Sequence, residues 1–200
     1  MNKGEIKMIV DLYKQYTAEN RHYHTLDHIF GMFKTAQLHD IEVSDALILA
    51  IWFHDALYDP EKIDGENETA SADAARAYCQ VTPGLKQYDE TVYQAIMDTH
   101  CHCPTRGNPI SPILIDLDLW MLSNISDYIV WRDRVRKEYS HLSEKEWVKG
   151  RMQWIGSMLA RDSIYVSEYA TKLMERNARL NLMDEMTALR VKVQKWKVSE

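Results

Sequence analysis

The stretch Ala46-Leu47-Ile48-Leu49-Ala50-Ile51-Trp52-Phe53-His54-Asp55-Ala56-Leu57-Tyr58-Asp59 decides the fold. An almost unbroken apolar run ends here in a His-Asp pair. A helix made of these residues is apolar around its whole circumference, so it belongs at the centre of a bundle and not on its surface. His54 and Asp55 then lie at the floor of a cleft. An imidazole and a carboxylate buried without partners are costly, and a bound cation satisfies both at once.

Outward from this run, helical periodicity extends in both directions. Upstream, Ser44 is placed to cap the central helix. Before it, Ile29, Phe30, Phe33 and Ala36 mark a second helix, entered through Asn20-Arg21-His22-Tyr23-His24-Thr25-Leu26-Asp27-His28, which packs three histidines into seven residues. His24 and His28 stand four apart and share a side if that turn is helical. Residues 5–18, with Ile6, Ile9, Val10, Tyr13 and Tyr16, read as an amphipathic first helix.

Downstream, a polar loop over 59–66 leads to a helix with a small alanine face over 67–78, and Thr82-Pro83-Gly84 ends it. Residues 88–100 are helical again and run into the polar loop Cys101-His102-Cys103-Pro104-Thr105-Arg106-Gly107-Asn108-Pro109. A second apolar segment, 113–122, carries Asp116 and Asp118 inside it, and these carboxylates need the same explanation as Asp55. The last third reads as three helices over 127–139, 143–160 and 167–193, the second opened by the capping-box spacing Ser143-Glu144-Lys145-Glu146. The reading is all-α.

With 200 residues the chain suits a single domain, residues 1–200, with a helical core over about 16–125 and added C-terminal helices over about 126–193. Only 7 Gly and 5 Pro leave few turns, against many short strands. A formal charge of -6 disfavours a nucleic-acid polymer as partner. The three cysteines, Cys79, Cys101 and Cys103, form an odd set unlike a secreted disulfide framework. Residues 1–15 lack the apolar core of a signal peptide, and the run 46–53 falls far short of the ~20 residues that span a bilayer. The expectation is a cytoplasmic protein with no membrane partner, and a homodimer is compatible with everything above.

A His-Asp dipeptide alone is a weak signal, since His39-Asp40 repeats it in what reads as a solvated turn. Context separates His54-Asp55: it ends the most apolar helix, follows the histidine-rich entry and precedes the embedded acids at 116 and 118. Imidazole and carboxylate donors from three helices make a site for a borderline divalent cation, among Mn, Fe, Co, Ni, Zn and Mg. With open positions left, such an ion lowers the pKa of bound water to roughly 7 and polarises a phosphoryl group.

The order His28, His54-Asp55, Asp118 resembles the H…HD…D signature of the HD-domain metal-dependent phosphohydrolases, a helical superfamily. The likeness is closest to a bacterial subfamily of predicted HD phosphohydrolases. It rests on Arg21-x-Tyr23-His24-x-x-x-His28-Ile29, Trp52-Phe53-His54-Asp55-x-x-Tyr58-Asp59, Asn67-Glu68-x-x-Ser71-Ala72 and Asp116-x-Asp118-Leu119, with further similarity at Arg136-Lys137-Glu138-Tyr139, Gly150-Arg151 and Ala178-Arg179-x-Asn181-Leu182. The resemblance implies His28, His54, Asp55 and Asp118 as ligands of one divalent metal, with Asp118 preferred to Asp116 and Asp116 orienting a ligand from behind. It implies hydrolysis of a phosphate ester, of a nucleotide or another small phosphorylated metabolite, by metal-activated water. Glu68 then serves as general base or proton shuttle, His24 and His22 contact the phosphate or the ligands, and Arg21, Arg134, Arg136, Lys137, Arg151 and Arg179 supply candidates for the anion clamp.

Bland readings stand beside these. A glutamate early in a helix also favours the macrodipole, and charged residues on helix faces are ordinarily solvated. His100 and His102, with Asp59, are candidates for a supporting role or a second metal, although residues two apart diverge on a helix, so at most one of the histidines easily reaches the site. A zinc clip at residues 100–103 lacks a second ligand pair. Two other functions remain open: a metal- or nucleotide-sensing module without turnover, and a di-iron oxygenase.

Overall fold

The computed structural model describes residues 3–199, with side chains over 7–198. Among the described residues there are nine α-helices and no strand: α1 Lys3–Tyr16, α2 Leu26–Leu38, α3 Asp45–Phe53, α4 Glu66–Val81, α5 Asp89–Cys101, α6 Ser111–Asp118, α7 Ile125–Glu138, α8 Glu144–Leu159 and α9 Glu168–Ser199. Short 3-10 turns at Lys86–Tyr88 and Trp120–Ser123 precede α5 and α7. The fold is all-α, as the periodicity predicts. The chain divides into two compact units, Met1–Asp118 and Leu119–Glu200.

In the first unit α3 is the hub. Ala46, Leu47, Leu49, Ala50, Ile51 and Phe53 are all buried, and α2, α4, α5 and α6 pack around it. The Ser44 hydroxyl accepts from the Leu47 N–H, which caps it as expected. The tightest pairing is α4 on α5, where Ala72, Ala75 and Cys79 meet a face of Val92, Ala95 and Ile96. Small side chains on α4 let the two backbones approach.

The first helix forms, but among the described side chains of its expected apolar set only Tyr16 is buried. Leu12 and Tyr16 are buried and Met8 packs partly against the core, whereas Ile9, Val10 and Tyr13 are exposed. On this buried i, i+4, i+8 row the Tyr16 hydroxyl donates to the Trp52 carbonyl at 2.9 Å, which keeps its polar group paired where water is excluded. The side chain of Ile6 lies outside the described residues.

In the second unit α8 and α9 pack together, and α7 and the turn at 120–123 also pack on α9. The Ser143–Glu146 capping box is present in both directions. Charged residues are structural here. Arg151 donates through Nε and Nη2 to the two oxygens of Glu185 at 2.9 and 3.0 Å, Tyr128 donates its hydroxyl to the same carboxylate, and the guanidinium lies over the Trp131 and Trp154 rings. No described helix is long and apolar enough to cross a membrane.

Candidate metal centre

The apolar run ends its helix at Phe53, and His54 is the cap residue that follows. This places His54 and Asp55 at the exit of the buried helix, where the chain turns and both side chains can face one point. The His54 Nδ1–H donates to the Ile51 carbonyl at 2.9 Å. In the neutral ring that bond fixes the tautomer, leaving the lone pair on Nε2.

That nitrogen meets three other donors. His28 Nε2 is 3.1 Å away, Asp55 Oδ2 2.9 Å and Asp118 Oδ1 3.6 Å. His28 Nε2 is in turn 3.6 Å from Asp55 Oδ2 and 3.2 Å from Asp118 Oδ1. Ligands about 2.1 Å from one ion stand about 3.0 Å apart in cis octahedral positions and about 3.4 Å apart in a tetrahedron. The five separations straddle those values. His28, His54, Asp55 and Asp118 form a grouping that can hold a metal ion.

The electrostatics agree. Burial alone pushes the His54 imidazole down, yet Asp55 and Asp118 beside it hold its pKa well above the ordinary histidine value. Burial likewise works to raise Asp55, and His54 and His24 nevertheless pull it far below the carboxylate range. Asp118 is lowered against burial by hydrogen bonds from His102, His28 and His54. Without a cation the cluster closes by keeping a proton, whose place a bound metal ion would take.

No family model, no curated protein and no solved structure matches this chain. The site is therefore read from its own geometry.

The other residues singled out in the sequence divide into groups. His24 lies ahead of α2, its ring 4.0 Å from the Tyr58 ring and 6.2 Å from that of His28. His22 is exposed. His102 Nε2 is 3.3 Å from Asp118 Oδ2, whereas His100 turns the other way, its Nδ1 3.8 Å from Asp64 Oδ1 and from Glu68 Oε2. The two histidines diverge as their spacing predicts, and Glu68 stands with His100. Of the Asp116-x-Asp118 pair, Asp118 supplies the carboxylate of the grouping and Asp116 is buried in α6.

Several motif residues hold backbone. Arg21, buried, donates from Nη1 to the Asp55 carbonyl at 2.7 Å and from Nη2 to the Ala56 carbonyl at 2.8 Å. Ser71 accepts from the Leu57 N–H and donates to the Leu57 carbonyl. Asn67 does the same for Asp59, whose own carboxylate accepts from the Glu61 N–H. Three side chains thus fasten residues 55–59 directly behind Asp55, each by its bonds to the main chain.

Of the remaining clamp candidates, Arg136, Arg151 and Arg179 are engaged within the second unit, and Lys137 is exposed. Arg151 pairs with Glu185, Arg179 with Glu175 and the carbonyls of Leu159 and Arg161, and Arg136 with the carbonyls of Tyr139 and Leu142. In the first unit an open groove of about 770 Å³ is walled by a mixed set of residues, among them Leu57, Tyr58, Ala70 and Met97, with Asp59, Asp64, Glu66 and Asp73 outnumbering Lys62 among its charges.

Proposed function

We propose that this protein is a metal-dependent phosphohydrolase of the HD type, acting on a small phosphate ester with one divalent ion held by His28, His54, Asp55 and Asp118. The observation that carries the reading is the pair of imidazole nitrogens 3.1 Å apart, one with its tautomer fixed by Ile51, converging with two carboxylates. The motif order in the sequence supports the phosphohydrolase part of it.

A divalent cation at such a site acidifies water and polarises a phosphoryl oxygen. The chain does the rest. Nδ1 of His54 stays committed to a carbonyl, so the ring is held as a ligand. Asp55 is kept ionised by its neighbours, and Arg21 fixes the carbonyl behind it. His24, its ring tilted over that of Tyr58 and near His28, is the imidazole suited to hold a phosphate oxygen or move a proton. Glu68 remains the candidate general base, with His100 Nδ1 3.8 Å from its carboxylate.

Among the described residues this is the one grouping of its kind, which supports a mononuclear site over a di-iron centre. Product release from phosphomonoesters, phosphodiesters and nucleotides with Mn, Co, Ni, Mg or Zn, wild type against Asp55→Ala, tests the proposal. Turnover that disappears in the variant supports it. Tight ligand binding without product under every metal would assign a sensing module instead.

A further inference from the structure

The loop between α5 and α6 carries a polar arrangement that the mechanism above does not use. Asp98 is buried on α5, one turn before the helix ends. Its Oδ2 accepts from the Thr105 N–H at 2.8 Å and from the Ser111 hydroxyl at 2.5 Å. Its Oδ1 accepts from the Thr105 hydroxyl at 2.8 Å and from Gln94 Nε2 at 3.1 Å. Its main-chain carbonyl accepts from the N–H groups of His102 and Cys103.

These bonds join two places that matter. His102 ends α5 in the left-handed conformation, with φ at +49°, which few side chains adopt without outside support. Ser111 begins α6, and Asp118 ends the same helix seven residues later. The Asp98 carboxylate therefore ties the turn that aims His102 to the helix that aims Asp118. At the site the result is a divided carboxylate: Oδ1 of Asp118 faces His28 and His54, and Oδ2 faces His102 at 3.3 Å.

We propose that Asp98 is the positioning residue of this centre, acting through His102 to decide which oxygen of Asp118 is offered to the metal. The inference rests on the metal-centre reading above. His102 is then a donor to the outer oxygen of Asp118, which would leave Oδ1 as the oxygen offered to an ion. Partners behind a ligand typically change metal affinity about 10- to 100-fold when removed. A loop staple with no such role changes stability alone.

The test is a Co²⁺ titration of the full chain followed by visible absorption, which reads affinity and coordination together. Asp55→Ala is included first: a wild type whose Co²⁺ spectrum does not depend on Asp55 removes the metal centre and this proposal with it. Given that dependence, Asp98→Asn and His102→Ala are each expected to weaken Co²⁺ binding by about tenfold or more and to alter the spectrum. The double variant should be no weaker than the weaker single one, because both act on one contact. Ser111→Ala removes a single donor to Asp98, should fold, and is expected to shift affinity in the same direction by less; combined with His102→Ala it decides the matter if Asp98→Asn does not fold. Folded Asp98→Asn and Ser111→Ala proteins with wild-type affinity and spectrum, or losses that multiply with that of His102→Ala, would overturn the proposal.

Discussion

The molecule buries charge in two places, and they are built on opposite terms. In the second unit the Glu185 carboxylate accepts from Arg151 twice and from Tyr128, so a buried anion is matched by a guanidinium and a hydroxyl donor. In the first unit two imidazole nitrogens and two carboxylates converge, and the Nδ1–H of His54 is committed to the Ile51 carbonyl. Acceptors outnumber donors there unless a proton or a cation enters. The Glu185 cluster is complete as it stands; the other has the composition that can hold a cation.

The largest effect that sharpens this contrast is expected in the second unit. Arg151→Ala leaves Glu185 buried without its cation, which costs about 3–5 kcal/mol. Denaturant unfolding should show that loss while metal content stays at the wild-type level. Loss of metal along with stability would show that the two clusters are not independent.

Metal should act in the reverse way. A ligand that binds the folded state alone adds about 2.7 kcal/mol at a concentration 100 times its dissociation constant. Saturating Co²⁺ or Mn²⁺ is expected to raise the melting temperature of the wild type and of Arg151→Ala, and to leave Asp55→Ala unmoved. A rise retained in Asp55→Ala would place the ion elsewhere.

Much of this was legible in the residues. The run 46–53 announces a buried helix because no face of it is polar, and His28, His54, Asp55 and Asp118 stand out by residue type inside or beside apolar segments. What stayed hidden has partners that carry no signature. Arg21 looks like a phosphate clamp, but its acceptors are main-chain carbonyls, which every residue has. Asp98 reads as one more charge on a helix, because its donors Thr105 and Ser111 reach it only after the loop has folded back. Arg151 and Glu185 meet across 34 positions, a pairing no local pattern announces. The final helix runs to Ser199, past its expected end near Val193, because residues 194–199 contain no Gly or Pro to stop it.

Proton and metal compete for the cluster, and pH separates them. The raised pKa of His54 stabilises the metal-free fold fully below the unfolded histidine value of about 6.5, and the contribution is lost as pH rises through the folded value. The depressed values of Asp55 and Asp118 contribute above about pH 4 and are lost as pH falls through them. Metal-free protein should therefore be best supported by this cluster between about pH 4 and 6.5 and weaken toward alkaline pH, by at most about 1.4 kcal/mol per pH unit for one proton. Metal affinity should rise over the same alkaline range as the proton leaves. Thermal melts from pH 6 to 9, with chelator and with Co²⁺, check this; parallel curves would mean that no proton is exchanged for the ion.

A local loss of stability tests how far the fastening of residues 55–59 belongs to the site. Ser71→Ala removes a hydroxyl that both accepts from the Leu57 N–H and donates to the Leu57 carbonyl. Ser71 is fully buried, so both Leu57 groups lose a partner that water does not readily replace, and the loss of stability should be about 1–3 kcal/mol. If that segment serves to hold Asp55, metal affinity must fall by more than that loss of stability would suggest, since a small shift of the main chain moves the carboxylate against ligands spaced 2.9–3.6 Å apart. Calorimetric titration beside denaturant unfolding measures both. A variant that loses stability with unchanged metal affinity would put Ser71 with Arg151, among the groups that build the fold and leave the centre alone.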